Sequence, residues 1–445
     1  MDLLNLVKEA GVIGAGGAGF PTHAKLTSQA EYILLNGAEC EPLLRVDQQL
    51  MELFPDQIIR GLEAAGRQVE ARKAIMGIKG KHKKVIGLMR ERISALGLTD
   101  YMEVMELRDI YPAGDEQVLV HELTQRIVPE AAIPLKVGCV VINSETALNI
   151  CRAIAGKPVT ETYITVAGDI PQRMTLKVPV GVSIQEVIGQ CGVDNPDDYA
   201  VIDGGPMMGS VLNQVNGYVT KKSKGYVLLK KDHFLIRKKS VSLERARVIG
   251  KTACEQCRMC TDLCPRYLLG HNMQPHKVMR ALSYNLEDVK DQQIAQLCCE
   301  CNACELFSCP ANLHPRSVNS LYKRKLAEQG IRYQPLEMDF QARPARDYRL
   351  IPSKRLVMKL GLSAFDQPAP MTQVEFRPEY IRIALQQHIG APAIPVVEIG
   401  EKVKAGQLIG KIPDNSLGAP VHSSFEGTVA EIKDHSILIK VGSYV

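Results

Sequence analysis

Two dense runs of cysteine constrain this chain more than any other feature. Of its 13 cysteines, nine lie between Cys254 and Cys309. In each run three cysteines are spaced two residues apart, and a fourth stands directly before a proline. The first run is Cys254, Cys257, Cys260 and Cys264, and the second is Cys298, Cys301, Cys304 and Cys309. Tripled cysteines at this spacing hold cubane clusters in bacterial-type ferredoxins. The alternatives are two zinc sites, which use paired cysteines, or a disulfide framework.

The fourth cysteine of each run reaches the other cluster in two-cluster ferredoxins, so the sequence predicts two [4Fe–4S] clusters with exchanged ligands. The first cluster site is predicted to comprise Cys254, Cys257, Cys260 and Cys309. The second cluster site is predicted to comprise Cys264, Cys298, Cys301 and Cys304. Cys299 stands too close to Cys301 to keep the two-residue spacing, so we predict that it is not a ligand. The remaining four cysteines are predicted to be small buried hydrophobes.

Composition argues against nucleic-acid and membrane functions. The chain has no Trp and an aromatic content of 5%, which does not favour modules that stack bases. A net charge of +5 over 445 residues is too small to indicate a nucleic-acid or membrane partner. The longest apolar runs are far shorter than the ~20 residues of a membrane-spanning helix. We expect a cytoplasmic protein with no transmembrane segment, in which clustered thiols bind metal.

The hydropathy pattern divides the chain into a multidomain α/β and β architecture. Residues 1–157 alternate strand and helix patterns, which predicts an α/β domain with a parallel sheet. Its strands are predicted at Tyr32–Leu35, Lys73–Ile78, Met102–Leu107 and Gly138–Ile142. Residues 158–240 are predicted to form a small β-rich domain with one helix, and residues 241–330 a helical cysteine module. Residues 331–372 are predicted to be a linker, and residues 373–445 a compact barrel of short strands. The basic segment 221–251 is predicted to be a solvated face.

A glycine-rich loop near the N-terminus matches G-x-G-x-x-G from Gly14 to Gly19. The segment before it has a helical pattern rather than the strand that an ordinary dinucleotide fingerprint requires. Its glycines nevertheless allow backbone N–H groups to approach an anion, with Lys25 on the helix that follows. The sequence therefore leaves two interpretations, a site for a phosphate-bearing cofactor or a tight structural turn.

Three polar segments follow predicted strands of the same domain. They are Asn36–Pro42, Tyr111–Glu116 and Asn143–Thr146. Any one of them is typical of a helix cap or a solvated turn. Because the carboxyl ends of parallel strands lie at one edge of a sheet, we expect the three to meet in a single crevice beside the glycine loop.

These segments carry a family resemblance. GAGGAGFPTHAKL, NGAECEP, YPAGDE and INSET resemble flavin-binding motifs of the NADH-oxidising flavoprotein subunit of respiratory complex I. The chain is more similar still to the RnfC protein of the Rnf electron-transport complex, through VIDGGPMMG, the cysteine runs and HIGAPAIPVVEIGEKVKAGQLIG. With its barrel at the C-terminus, it is similar to the cobalamin reductases of propanediol-utilisation microcompartments. The fold implied is a Rossmann-like flavin domain, a β-grasp-like domain, a double ferredoxin module and a barrel-sandwich hybrid domain.

The resemblance implies roles for individual residues. FMN would be held by the glycine loop and Lys25, with Asn36 and Asn143 against the flavin. Glu39 and Glu116 match acidic positions near the nicotinamide and its ribose. The loop glycines concerned are Gly14, Gly16, Gly17 and Gly19. The family motif NADEGEP has Asp and Gly where this chain has Ala38 and Cys40.

The activity implied is the reduction of cob(III)alamin towards cob(I)alamin, with electrons from NADH passing through FMN and both clusters. The partners implied are an adenosyltransferase and a microcompartment shell protein, and the location a bacterial microcompartment. Two other hypotheses come from different classes. One is a non-catalytic electron-transfer subunit of an Rnf-like membrane complex, and the other is an interaction scaffold with a vestigial flavin site.

Overall fold

The structure is a computed structural model that describes residues 2–193, 195–284, 286, 289–335 and 339–442. Within these ranges, every helix is too short or too polar to cross a bilayer. The fold comprises four modules along the chain.

The first module is an α/β layer. Its helices and strands in chain order are α1 (Leu3–Glu9), α2 (Thr22–Lys25), β1 (Tyr32–Gly37), α3 (Val46–Leu53), α4 (Pro55–Gln68), β2 (Lys73–Lys79), α5 (Lys83–Ala95), β3 (Met102–Leu107), β4 (Ile110–Tyr111), α6 (Glu116–Thr124), β5 (Cys139–Asn143) and α7 (Ser144–Ile154). Strands β3, β2, β1 and β5 form one parallel sheet in that order, which confirms the predicted strands and their direction. Helices α4 and α7 pack closely, and Gly61 allows this because it has no side chain. A Cβ at this position would collide with the Ala147 carbonyl.

The strand order creates a crevice at the carboxyl edge of this sheet. The chain proceeds from β1 outward to β2 and β3, then returns to β5 on the other side of β1. Ligands bind in open α/β sheets where the strand order reverses in this way. Asn36 at the end of β1 is paired in register with Asn143 at the end of β5. The topology therefore sets two of the predicted site residues side by side at the reversal.

The second module is a mixed sheet with short helices. Its elements are β6 (Glu161–Gly168), β7 (Met174–Pro179), α8 (Ile184–Gly189), β8 (Tyr199–Asp203), β9 (Ser210–Val211), β10 (Gly225–Lys230) and α9 (Phe234–Lys239). The strand order is β7, β6, β10, β8, β9, with β6 and β10 parallel and the other neighbours antiparallel. Helix α8 begins with a capping box in which Ser183 and Glu186 satisfy each other's backbone N–H groups.

The cysteine module is helical. It comprises α10 (Leu243–Ala253), α11 (Met259–Asp262), α12 (Pro265–Leu268), α13 (Pro275–Ser283), α14 (Val289–Gln293) and α15 (Pro315–Glu328). Helices α10, α13 and α15 pack against one another, with Met279 and Val318 fully buried between them. This small core holds the two cysteine runs in place.

The segment expected to be a plain linker is also built into the sheets. It contains β11 (Ile351–Pro352), α16 (Ser353–Lys359) and β12 (Met371–Thr372). Strand β11 pairs with β4 of the first module, and β12 joins β7 at the edge of the second. The segment fastens these modules together because each short strand takes up unpaired backbone groups at an edge.

The last module consists of two small sheets. Its strands are β13 (Tyr380–Ala384), β14 (Ile394–Pro395), β15 (Lys402–Val403), β16 (Leu408–Lys411), β17 (Val421–His422), β18 (Gly427–Lys433) and β19 (Ser436–Val441). One sheet has the order β13, β19, β18, β15, and the other has β14, β16, β17. Its apolar residues share one core with the second module, in which Ile383 and Ile437 pack with Val178 and Val182. The two modules are therefore joined by apolar burial.

Candidate functional site

The glycine loop is a closed turn with exposed backbone donors. The N–H of Gly14 bonds the carbonyl of Phe20 at 2.9 Å, and Ile13 and Pro21 form a bridge below it. Gly16 has a φ of 72°, which disfavours a larger residue. Helix α1 precedes the loop, as the sequence predicted, so this is not an ordinary strand–loop–helix fingerprint.

The residues of this loop fit an anionic cofactor. Gly16, Gly17 and Ala18 are exposed, and within the described ranges their N–H groups bond no protein acceptor. A Cβ added at Gly17 would meet no atom within 4 Å. Free N–H groups facing open space in a glycine turn are the donors that a phosphate group requires. The loop therefore fits the phosphate of a flavin mononucleotide.

The three polar segments do meet in one crevice with the loop. Asn143 donates from Nδ2 to the carbonyl of Ala15 at 2.6 Å, and the N–H of Ala15 donates to Thr146 Oγ1 at 3.1 Å. On the neighbouring strand, Asn36 donates from Nδ2 to the carbonyl of Gly114 at 3.0 Å. The Tyr111–Glu116 segment follows β4 rather than a strand of the main sheet, which differs from the expectation. Its contact with Asn36 nevertheless brings it to the same edge.

Lys25 and Glu116, two predicted site residues, form an ion pair. Lys25 Nζ lies 2.9 Å from Glu116 Oε1, and their side chains are 29% and 48% exposed. Glu116 is the first residue of α6, whose N-terminus is capped by Asp115 through the N–H groups of Gln117 and Val118. The pair therefore lies at a helix N-terminus, with both charged ends accessible to solvent.

Glu39 lies deeper in the crevice, in a strained backbone conformation. Its φ is 35°, and its Oε2 accepts the N–H of Gln48 in the first turn of α3 at 3.3 Å. Burial, together with the nearby Asp47 carboxylate, raises the pKa of Glu39 to about 7. A carboxyl with such a pKa exchanges its proton near neutral pH, which is a property of functional sites.

A largely buried lysine next to the loop was not anticipated. Lys224, from the second module, lies 2.6 Å from Glu145 Oε2 and 3.7 Å from Asp47 Oδ1. Although burial opposes it, the Glu145 and Asp47 carboxylates raise the pKa of Lys224, so it stays protonated. Its aliphatic stem fills the space where a side chain at Gly16 would lie. Lys224 thus supports the glycine loop from the side opposite the solvent.

The basic segment containing Lys224 is only in part the solvated face that the sequence predicted, because Lys222, Lys230, Lys231 and Arg237 are exposed. Lys221 is only 3% exposed, and its Nζ donates to the carbonyls of Gly11 and Pro420 at 2.8 and 2.9 Å. Lys238 is also buried, against the carbonyl of Leu313 at 2.9 Å. These amines can be buried because backbone carbonyls replace water at the junctions between modules. Charge runs in sequence do not reveal such acceptors.

The last module reaches the glycine loop as well. The N–H of Ile389, in the HIGAPA motif, donates to the carbonyl of Gly19 at 3.1 Å. The stem of exposed Lys222 also lies next to Gly19. The loop is therefore held between modules that are far apart in sequence.

The two cysteine runs share left-handed backbone turns at matching positions between their first and third cysteines. In the first run Gln256 and Arg258 have φ values of 52° and 67°, and in the second Glu300 and Asn302 have 57° and 68°. In both runs the fourth cysteine is extended and stands directly before a proline. Left-handed residues at matching positions give the two runs matching turns, which fits two sites of one kind.

The unequal spacing of the runs has a structural explanation. Four residues separate Cys304 from Cys309, whereas three separate Cys260 from Cys264. The longer segment forms a π-helical turn over Ala303–Ser308, and the shorter one forms α11. A π-turn accommodates one additional residue without changing where its ends lie.

Cys298 and Cys299 face different surroundings. Cys298 packs with Cys264, and its Sγ accepts the N–H of Glu300 at 3.3 Å. Cys299 packs with the cluster of apolar side chains that includes Tyr111 and the proposed ligand Cys301. The repeated φ values align Cys298 with Cys254, because a left-handed residue follows two positions after each. The choice of Cys298 rather than Cys299 as a ligand stays a prediction.

The second cysteine run touches the flavin-domain crevice. Tyr111 is buried, and its hydroxyl donates to the carbonyl of Cys301. Arg266, two residues after Cys264, donates to Asp115 Oδ2 at 2.9 Å. The sequence identified the Tyr111–Glu116 segment but gave no indication that it would contact the cysteines or that Arg266 would be buried. Such contacts depend on how modules dock.

Comparison with protein families identifies three of these regions. Residues 7–152 match the Nuo51 FMN-binding domain, residues 253–314 a 4Fe-4S dicluster domain, and residues 366–443 the RnfC barrel sandwich hybrid domain. The expected multidomain architecture, with FMN-binding and iron–sulfur domains, is thereby confirmed.

Similar curated proteins extend over the whole chain. Cobalamin reductase PduS of Citrobacter freundii is 42% identical over 436 residues, which is 97% of this chain and 95% of the relative. Its counterpart from Salmonella typhimurium is 41% identical over 444 residues, or 99% of this chain and 97% of the relative. A more distant relative is the RnfC-type component of the Na+-translocating ferredoxin:NAD+ oxidoreductase complex of Acetobacterium woodii. It is 34% identical over 269 residues, covering 59% of this chain and 57% of the relative.

Proposed function

The chain belongs to the cobalamin reductase PduS family, and from this premise we propose that it reduces cobalamin with electrons from NADH, using FMN and two [4Fe–4S] clusters. When bound, FMN supplies the exchange between two-electron and one-electron chemistry, and iron–sulfur clusters carry single electrons. The direction proposed is from cob(III)alamin towards cob(I)alamin.

The observation that carries this proposal is the contact between the crevice and the second cysteine run. The Tyr111 hydroxyl donates to the Cys301 carbonyl, so one buried hydrogen bond joins the flavin-domain loop to a proposed cluster ligand. A protein that combines the two cofactor types for electron transfer needs their sites to be adjacent. A chain that only bound partners would not need that contact.

The proposed FMN site is the crevice at the end of β1 and β5. The exposed N–H groups of the glycine loop and the ammonium of Lys25 would bind the phosphate, and Asn36 and Asn143 would lie against the flavin. The loop glycines are Gly14, Gly16, Gly17 and Gly19. Glu39 and Glu116 would orient the nicotinamide ribose of NADH by accepting hydrogen bonds from its hydroxyl groups.

The proposed cluster ligands are the two sets that the sequence predicts. Cys254, Cys257, Cys260 and Cys309 would form the first cluster site, and Cys264, Cys298, Cys301 and Cys304 the second. Backbone N–H groups support these thiolates, since Leu313 donates to Cys309 Sγ and Glu300 donates to Cys298 Sγ, both at 3.3 Å. Such N–H donors stabilise thiolate charge when a cluster is bound.

Family membership also supports a location inside a propanediol-utilisation microcompartment, with an adenosyltransferase and a shell protein as partners. The adenosyltransferase would consume the reduced corrinoid. A role as an Rnf-like subunit has less support, because the relative from Acetobacterium woodii matches only 59% of this chain.

The test uses the full-length protein purified without partners and reconstituted anaerobically with FMN, iron and sulfide. We expect NADH to drive corrinoid reduction, followed by absorbance, and extraction to yield FMN rather than FAD. The Cys298→Ala variant should keep NADH-dependent ferricyanide reduction but lose corrinoid reduction. Flavin reduction without corrinoid reduction in the intact protein would favour the Rnf-like role. Absence of bound flavin would favour the scaffold.

A further inference from the structure

An open apolar cavity lies in the last module, apart from the crevice and the cysteine runs. Its volume is about 420 Å³, which is within the range of cavities that hold small organic ligands. Its apolar lining includes Leu385, Ile394, Ile432 and three prolines. By contrast, the cavity beside Tyr111 and Arg346 measures about 20 Å³, which is enough for one water molecule.

The wall of the larger cavity is rigid. Pro392, Pro395 and Pro413 all line it. Because proline has a fixed φ and no N–H, such a wall keeps its shape and presents no unpaired donor to an apolar ligand. Ile394 lines the same cavity, yet 47% of its surface is exposed. An apolar group that covered Ile394 would remove that surface from water, which is favourable.

The polar part of the lining is the turn between β18 and β19. Asp434 and His435 have φ values of 51° and 55°, so both positions of this tight turn are left-handed although neither is glycine. The His435 carbonyl accepts the N–H of Leu385 at 2.7 Å, and Ser436 Oγ donates to the Lys433 carbonyl at 2.9 Å. These bonds fix the turn against the cavity.

Cations lie on the cavity side of the module. Lys433 lines the cavity, next to the Asp434 carboxylate. Lys411 is the cross-strand partner of Ile394, so its side chain projects from the same face of the sheet. Both lysines are exposed. An apolar interior with lysines beside it fits a ligand that joins a flat apolar group to a negative charge.

The cavity is close to the glycine loop. The N–H of Ile389 donates to the carbonyl of Gly19 at 3.1 Å. Pro392 follows Ile389 by three residues, so their Cα atoms are at most about 11 Å apart. A ligand in the cavity would therefore lie near the proposed FMN site, although no lining residue belongs to that site.

We propose that this cavity binds the nucleotide tail of cobalamin, with the dimethylbenzimidazole base against the prolines and Ile394, and the phosphodiester beside Lys433. This inference rests on the proposed function, because that function makes cobalamin the substrate. The base is a flat apolar ring system, and the phosphodiester that links it to the corrin carries one negative charge.

Binding of the tail has a consequence for the cobalt. A base enclosed in the cavity cannot remain bound to cobalt, so the cobalt–nitrogen bond breaks and its electron pair stays on the base. Because this donor stabilises the higher oxidation state, its loss makes the cobalt easier to reduce. The cavity would thus prepare the substrate for reduction as well as bind it.

The test compares cobalamin with cobinamide, which has the corrin ring but lacks the base, ribose and phosphate. Both are titrated anaerobically in their cob(II) forms into the full-length protein reconstituted with FMN, iron and sulfide. We expect cobalamin to bind about tenfold more tightly than cobinamide, because only cobalamin fills the cavity. The EPR spectrum of bound cob(II)alamin should lack the nitrogen splitting that the coordinated base produces in free cob(II)alamin.

Variants of the lining should affect cobalamin alone. Ile394→Asp should weaken cobalamin binding about tenfold, because it sets a carboxylate in the apolar cavity, and should leave cobinamide binding unchanged. Lys433→Gln should weaken cobalamin binding about threefold, since exposed charge pairs are weak. Ile399→Asp is the matched control, because Ile399 is 66% exposed in the same module and lies outside the lining. FMN content should equal that of the wild type in all three variants.

Two results would overturn this inference while leaving the proposed function intact, provided that NADH still drives cobalamin reduction. One is nitrogen splitting retained by cob(II)alamin bound to the wild type. The other is equal binding of cobalamin and cobinamide that neither Ile394→Asp nor Lys433→Gln changes. A wild-type protein that neither binds nor reduces either corrinoid would overturn the proposed function as well.

Discussion

Lys25 Nζ lies 2.9 Å from Glu116 Oε1, although the two residues are 91 positions apart in the chain. The ion pair closes the crevice between the glycine loop and the Tyr111–Glu116 segment. Both side chains are substantially exposed, so the pair contributes little to stability, about 1 kcal/mol at most. Under the proposed function, the pair would set a cation beside the FMN phosphate and an anion beside NADH.

The first prediction concerns FMN affinity. Lys25→Gln should weaken FMN binding about ten- to a hundredfold, because a hydrogen bond to a charged group contributes about 1.5–3 kcal/mol. Fluorescence titration of the apoprotein measures this, with riboflavin as the matched ligand that lacks a phosphate. Glu116→Gln should not weaken FMN binding, because it frees the Lys25 ammonium. An equal loss of FMN and riboflavin affinity in Lys25→Gln would contradict the assignment of Lys25 to the phosphate.

The second prediction concerns the nicotinamide. Glu39→Gln and Glu116→Gln should each slow flavin reduction by NADH about ten- to a hundredfold in stopped-flow experiments. Reduction of the clusters by dithionite should be unaffected, because it does not use the crevice. Glu103→Gln, which changes a partly exposed carboxylate on β3, is the control. If both crevice variants reduce the flavin with NADH at the wild-type rate, Glu39 and Glu116 do not bind the nicotinamide ribose. They would then be carboxylates of structural turns.

The third prediction is a pH dependence of stability. Glu39 has a pKa of about 7 in the folded protein, raised from 4.5 by burial and by Asp47. At pH values below about 4.5, both folded and unfolded chains hold this proton. Between about 4.5 and 7 only the unfolded chain releases it, so the contribution of Glu39 to the free energy of unfolding falls as pH rises. Above about pH 7 the loss is complete.

Glu39→Gln removes this titration. The difference in free energy of unfolding between the variant and the wild type should therefore grow in favour of the variant from pH 5 to pH 8. The upper bound is about 1.4 kcal/mol for each unit of pKa difference, reduced by whatever solvent reaches the carboxyl. Denaturant titrations at both pH values measure it. A difference that does not change with pH would mean that the Glu39 carboxyl ionises as it does in water.

The fourth prediction separates two adjacent cysteines. Cys299→Ala should retain about eight irons per chain, the content of two cubanes, because only Cys298 keeps the two-residue spacing with Cys301 and Cys304. Cys298→Ala should lose one cluster, leaving about four irons or a three-iron species. Iron and sulfide analysis with EPR of the reduced proteins distinguishes these results. Loss of a cluster in Cys299→Ala, with both kept in Cys298→Ala, would show that Cys299 is the ligand.

Several features of the fold could be predicted from sequence because they depend on local patterns. Strand β3 has the predicted bounds, and β1 begins where expected and extends to Gly37. The helix before the glycine loop was also apparent, which correctly set the loop apart from an ordinary dinucleotide fingerprint. Alternation of strands and helices predicted a parallel sheet, and a parallel sheet aligns strand ends at one edge. Convergence of Asn36–Pro42 and Asn143–Thr146 followed from that topology, whereas the Tyr111–Glu116 segment reaches the same edge through the contact of Gly114 with Asn36.

Other features could not be predicted because they depend on docking between modules. Lys221 and Lys224 belong to a basic run that resembles a solvated face, yet each finds oxygen acceptors in distant segments. Arg266 resembles any arginine of a short helix until Asp115 is placed against it. The 331–372 segment resembles a linker until β11 and β12 find free edges. No local pattern encodes these partners.

The sequence by itself determined the chemistry that the chain can carry. Cysteine spacing specified thiol groups for clusters, and glycine spacing specified a loop open to an anion, because both depend on residues that are close along the backbone. Only the tertiary structure decided which groups stand beside that chemistry. It set Tyr111 against Cys301 and Arg266 against Asp115, across sequence separations of 190 and 151 residues. Burial makes those contacts strong, and burial exists only after the modules have packed.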